Sequence, residues 1–326
     1  MIWLPVSHSV AKFVIALSLY SSLILAALLL LLVIRRDAQE RRRTAQQARM
    51  KQLTREILRS DAAQNPSPLI GKANREELLE AALRLYQLVR GTDRERLTRF
   101  VEDQGLLAPV RKKLTYSSQA RRVDAIRVLE RIGSQQAIGL LNDTLGKDPA
   151  LDVRLEAAAG LARLEALPKP AVIVAELGME SRPVTRLDHA LLRSMAGRDA
   201  ADLVALSKRT LPQDLQAAVI EALGWVPEYA GLAQIMEALE NDSAAVRCAA
   251  LRAARKLGHP SVRTALAALL TNADETVRAE AVMTASALKL RKLAPVIAQL
   301  TEDRSVWVRL QAREALKRMP ADLRHA

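Results

Sequence analysis

Few residues of this chain could do chemistry alone, and none is spaced to do it in company. The histidines are His8, His189, His259 and His325, and Cys248 is the only cysteine. No two histidines stand at i, i+4, so no helix face offers paired imidazoles, and no Cys/His spacing fits a zinc site. The sequence also lacks a Gly-rich phosphate loop and a nucleophile elbow. His259 falls in the turn Gly258-His259-Pro260 and reads as a solvated loop histidine. Cys248 reads as an inert, partly buried thiol. A single cysteine excludes a disulfide framework, as expected in a reducing compartment. The chain is therefore not expected to be an enzyme or to hold a metal or cofactor.

What positions the remaining side chains is a repeat. Val153-Arg154, Val246-Arg247, Val277-Arg278 and Val308-Arg309 share one dipeptide, and their spacing is a multiple of about 31 residues throughout. Val184-Thr185 and Leu215-Gln216 stand where the two missing copies should start, and Arg121-Arg122 opens a copy further up. With the Val position as zero, +4 reads Ala157, Asp188, Val219, Ala250, Ala281 and Ala312. Position +8 reads Leu161, Leu192, Leu223, Ala254, Ala285 and Leu316, and +11 holds Leu, Met or Val. Spacing 0, 4, 8, 11 is one face of an α-helix, with Ala where helices approach closely. Turns at Gly133-Ser134, Gly224 or Gly258 lead to a second helix, and Asp148, Asn241, Asn272 and Asp303 at −5 suit the return turn. A hairpin of this size cannot bury its apolar face alone, so the units must stack. The copy at 184, with Thr185 for Arg and Asp188 for Ala, is expected to be irregular.

The frame D/N-x-x-x-x-V-R-x-x-A-x-x-x-L, seen in Asn241 to Ala254 and Asp303 to Leu316, resembles HEAT repeats, in particular the short kind named after phycobilisome lyase subunits. The resemblance covers residues 118–326. It implies an all-α, right-handed solenoid used mostly for binding, with the Val-Arg helices on its concave side. The lyase activity in that name does not follow from the repeat.

Position +10 points about 115° away from the packed stripe. Down the stack it reads Arg131, Arg163, Ser194, Trp225, Lys256, Ala287 and Arg318, with Arg127 and Arg252 adding charge at +6. A row of cations around one Trp suits an acidic, partly helical peptide or loop, with Trp225 as anchor. The +1 arginines recur with the repeat and suit a structural ladder to neighbouring loop acids. Nucleic acid is a poorer fit. Residues 121–326 hold 29 basic and 25 acidic side chains, and phosphate neutralisation wants a concentrated basic face.

The N-terminal part has another character. Phe13 to Ile34 is uncharged, and Arg35, Arg36, Arg41, Arg42 and Arg43 follow. About 20 apolar residues suffice to cross a bilayer, and the run is longer than a signal-peptide core. Nine basic residues between Arg35 and Arg59, against one before Phe13, predict a cytoplasmic C-terminal side. The same arginines could meet anionic lipid headgroups over residues 35–59. The expected organisation is a short non-cytoplasmic segment 1–12, a transmembrane helix 13–34, and a basic juxtamembrane helix with a Pro-containing linker 35–71. A helical cap 72–117 and the solenoid 118–326 complete it. The expected role is a single-pass inner (plasma) membrane scaffold or adaptor that binds a protein partner, itself membrane-associated. The alternatives are a membrane tether for nucleic acid or a soluble acidic partner through the basic face and, third, a lyase-like enzyme.

Overall fold

The computed structural model describes residues 8–59, 70–71 and 73–318, with only part of the side chains in the first helix. Among the described residues there is no β-strand. The chain divides into two compact units, Met1–Pro109 and Val110–Ala326.

The first unit begins with one long helix, α1 (His8–Arg59), followed by α2 (Arg75–Leu85) and α3 (Thr92–Asp103). Residues 36–59 lack Pro and Gly, so nothing interrupts the helix before Arg59. Its last turns bury Leu53 and Ile57, and Arg49 pairs with Glu77 of α2 at 3.0 Å. Asn74 caps α2 by accepting from the Glu77 amide at 2.8 Å. Leu78, Leu79, Ala82 and Tyr86 then form a buried stripe, while Leu83 of the same apolar run is only partly buried. Among the described residues no helix is long and apolar enough to cross a membrane. Most side chains between Phe13 and Ala27, and the Pro-containing linker at 65–68, lie outside the described residues.

The second unit is a stack of helical hairpins. After α4 (Ala108–Leu114), the first helices of successive repeats are α5 (Gln119–Ile132), α7 (Leu151–Arg163), α9 (Arg186–Met195), α11 (Gln213–Leu223), α13 (Ala244–Leu257), α15 (Glu275–Ala287) and α17 (Val306–Arg318). The second helices are α6 (Gln135–Lys147), α8 (Pro170–Glu176), α10 (Ala200–Ser207), α12 (Leu232–Ala238), α14 (Val262–Leu269) and α16 (Ala294–Gln299). First helices pack side by side in chain order, and most also pack against the second helix of the preceding repeat. The zero and +4 positions form the core: Val153, Leu215, Val246, Val277 and Val308 are buried, as are all six residues at +4. Gly133 and Gly258 end their helices with φ of 65° and 73°, the left-handed cap that glycine adopts without a Cβ clash. At the equivalent corner Glu165 and Lys289 take the same conformation without being glycine.

The +1 arginines form the expected ladder and add a bond that spacing did not suggest. Each Nη1 donates to two carbonyl oxygens of the turn just before its helix. Arg122 reaches Tyr116 and Ser117, Arg247 reaches Asn241 and Asp242, Arg278 reaches Asn272 and Ala273, and Arg309 reaches Asp303 and Arg304. Arg154 makes the same bonds to Asp148 and Pro149. The remaining guanidinium edge crosses to the next repeat, bidentate to Asp148 from Arg122 and to Asp303 from Arg278, at 2.8–3.0 Å. The same acids accept an amide two residues on, at Ala150 and Ser305. One buried pair thus closes a turn and joins two repeats. The Arg278 hydrogen bond holds the Asp303 carboxyl below its ordinary pKa.

The copy at 184 is irregular for an identifiable reason. Thr185 is an N-cap whose hydroxyl accepts from the Asp188 amide, while Asp188 accepts from the Thr185 amide. This capping box starts the helix at Arg186, after the zero position instead of before it. Asp188 occupies the +4 site with no exposed surface and is clamped by Arg182 at 2.7 and 2.8 Å. Burial alone would raise its pKa, but the bonds from Arg182 and Thr185 outweigh burial and hold it low.

Candidate functional site

All seven +10 residues are exposed: Arg131, Arg163, Ser194, Trp225, Lys256, Ala287 and Arg318. The row is therefore a surface, but its cations are not uniformly offered to a ligand. Arg163 makes a bidentate bond to Glu130 of the preceding repeat, and Arg127 pairs with Glu156 at 3.2 Å. Arg252 lies between Glu221 at 2.9 Å and Glu280 at 3.5 Å, and Arg255 also reaches Glu280. The glutamates come from positions +3, +6 and +9, which share the outward side of the helices with +6 and +10. Reading those positions beside the cations would have found them in the sequence. The hydrogen bond that Arg163 donates to Glu130 raises the Arg163 pKa, and for Arg252 burial, the largest single effect, is outweighed by Glu221 and Glu280 together, so its pKa rises too.

The surroundings of Trp225 are different. Trp225 is 45% exposed. Arg193 lies 5.1 Å from its ring centroid and Lys256 4.0 Å, one from the preceding repeat and one from the following. Neither cation has a carboxylate partner among the described residues. Ring contact with both cations holds them beside an exposed aromatic surface. Arg193 escaped notice because it stands at +9 of the irregular repeat, one position off the row. Gly224 sets the depth of the site. A Cβ there would lie 2.7 Å from Ala253 Cα and 2.9 Å from its carbonyl oxygen, so only glycine lets α11 end so close to α13.

Beside this patch a cleft of about 500 Å³ is lined by His189, Cys248, Arg252, Glu280, Met283 and Trp307. Cys248 is 8% exposed, and burial pushes its thiol pKa up, the opposite of a nucleophile's environment. His259 packs edge-on to Tyr229 at 5.0 Å and bonds Ser261, as a turn residue does. A larger cleft, about 810 Å³, lies where the ladder begins, with the satisfied Arg122–Asp148 pair in its wall. Among the described residues no three His, Cys, Asp or Glu side chains gather as a metal site. Of the juxtamembrane arginines, Arg35, Arg36 and Arg41 are exposed, Arg36 pairing with Glu40 and Arg41 with Asp37. The side chains of Arg42 and Arg43 lie outside the described residues.

Comparison with known proteins gives the class of the architecture. A family model described as HEAT repeats matches residues 200–286, the stretch that contains Trp225. No curated protein matches the chain. Among solved structures, human deoxyhypusine hydroxylase is 18% identical, with 84% of this chain and 97% of that one covered, at a TM-score of 0.32. The CpcE–CpcF complex of phycocyanin lyase from Nostoc sp. PCC7120 is 22% identical over 78% of this chain and 89% of that one, at 0.28. Computationally designed armadillo repeat proteins for modular peptide recognition are 17% identical over 66% of this chain and 100% of theirs, at 0.29. At such TM-scores none of these likenesses bears on activity or partner.

Proposed function

We propose that the chain is a membrane-anchored scaffold whose solenoid binds an acidic segment of a protein partner at the Trp225 face. One observation carries the binding site: a half-exposed indole flanked by two cations that no carboxylate among the described residues neutralises. A desolvatable aromatic with unpaired charge beside it is the composition of an interface hot spot. Binding, not catalysis, is its work. The paired arginines along the rest of the face hold repeats together and add a charge-matched rim.

The proposed anchor rests on the sequence: Phe13 to Ile34 is a run of uncharged residues that as a helix would span roughly 33 Å at 1.5 Å per residue, although most of its side chains up to Ala27 lie outside the described residues. Leu28 to Ile34, seven consecutive apolar residues, are each about half exposed or more. A helix apolar on every side in water would be costly, and lipid supplies the solvent that suits it. The arginine bias then puts the solenoid in the cytoplasm of a cell with this protein in its inner membrane, with the exposed Arg35, Arg36 and Arg41 at the headgroups.

A photo-crosslinking residue placed at 225 in intact membranes should give a discrete protein adduct, and one at exposed Val172 on a second helix should not. A reporter active only outside the cytoplasm, fused after Ala326, should stay silent. Adducts at both positions, or at neither, would reject the face, and a strong reporter signal would reject the orientation.

A further inference from the structure

The last described helix, α17, differs from the regular joints inside the stack. At those joints the surface turned toward the next repeat is apolar and covered. Cys248 and Ala279 at +2, and Ile220, Leu251 and Val282 at +5, are all buried. The +1 arginine there also crosses to the following repeat, as Arg278 does to Asp303. On α17 the corresponding +2 residue, Leu310, is 50% exposed, with Val306 at 70% and Trp307 at 51% beside it. Position +5 is Arg313, exposed where the interior has Ile, Leu or Val. Arg309 at +1 binds its own turn through Nη1, but Nε and Nη2 meet no acceptor among the described residues.

We infer that this end face docks an acidic amphipathic helix of a partner protein, at a site separate from the Trp225 face. Leu310 and Val306 supply the apolar contact. Arg309 takes a carboxylate from the incoming helix, as Arg278 takes Asp303. Arg313 replaces an apolar contact by a cation, which selects an acidic helix over another repeat of the regular kind. The same two arginines disfavour a second copy of this chain set end to end, because like charges would meet.

The full-length chain in detergent can be titrated with a labelled 18-residue synthetic helix bearing Leu and Ala on one stripe and Asp and Glu on its flanks. Saturable binding by anisotropy is expected. Arg309→Glu and Leu310→Glu should each weaken it tenfold or more with an unchanged thermal melt, and Trp225→Ala, at the other face proposed to take an acidic segment, should weaken it far less. If Arg309→Glu loosens its own turn, Leu310→Glu decides. The inference is overturned by an absence of saturable binding, by equal binding of a peptide with Lys in place of Asp and Glu, or by equal sensitivity to Trp225→Ala. It is also overturned if removing residues 319–326 raises affinity tenfold, since the chain's own tail would then be the occupant. A concentration-dependent dimer abolished by Leu310→Glu would point to a second copy and overturn it too.

Discussion

The regular repeats between 241 and 309 and the irregular one around 184 join their helices by different means. In the regular ones Ala250 and Ala281 fill the close approach at +4, and the +1 arginine ties the preceding turn and the next repeat together. In the irregular one a buried carboxylate, Asp188, sits at +4, and the arginine that ties the turn is Arg182, placed before the helix and bonded to the Leu177 and Pro183 carbonyls. These turns thus keep a guanidinium without keeping its sequence position. The seam also underlies the proposed binding face, because Arg193 of the irregular repeat and Lys256 of a regular one both lie against the Trp225 ring.

The comparison is broken most sharply at Asp188. Asp188→Ala restores the regular +4 residue but leaves Arg182 largely buried without its carboxylate, which should cost about 3–5 kcal/mol in denaturant unfolding of the solenoid. Adding Arg182→Leu should recover half or more of that loss. Strictly additive losses would mean that the two residues are not one device.

Acid should act on both regions together. Asp188 and Asp303 have folded-state pKa values below the ordinary carboxyl value, so in acid the unfolded chain binds more protons than the folded one. Their stabilisation is complete above the unfolded carboxyl pKa of about 3.9 and is lost as pH falls through the depressed values. Melting temperature should drop over that range, and less so in the Arg182→Leu/Asp188→Ala variant.

Packing provides a smaller effect. Leu at Ala250 or Ala281 should overpack the core and cost ~1–3 kcal/mol, whereas Ala287→Leu on the exposed row should stay within about ±0.5 kcal/mol. Equal losses at the two classes would show the repeat register to be misplaced. The smallest effect is a gain. Glu165→Gly and Lys289→Gly should each stabilise by roughly 0.5–1 kcal/mol by removing left-handed strain, making those corners like Gly133 and Gly258.

Much of this was legible from periodicity. The 31-residue frame located the buried +4 positions, the exposed +10 row and the arginine ladder, because helical phase follows directly from spacing. The Asp188 box was visible only as a departure, since the Thr185/Asp188 pairing competes locally with the frame and shifts the helix start. The acids that neutralise Arg127, Arg163 and Arg252 come from neighbouring repeats, so they emerge only when +3, +6 and +9 are read across repeats and not along one helix. Arg193 is the clearest omission: its contact with Trp225 depends on how two repeats of unlike register lie side by side.

The most direct measurement is the affinity of the full chain for the protein crosslinked at position 225, compared with that of Trp225→Ala. A loss of ~2 kcal/mol or more, about 30-fold, with unchanged unfolding is the predicted result. Unchanged affinity in a folded Trp225→Ala variant would contradict the assignment of this face as the binding site.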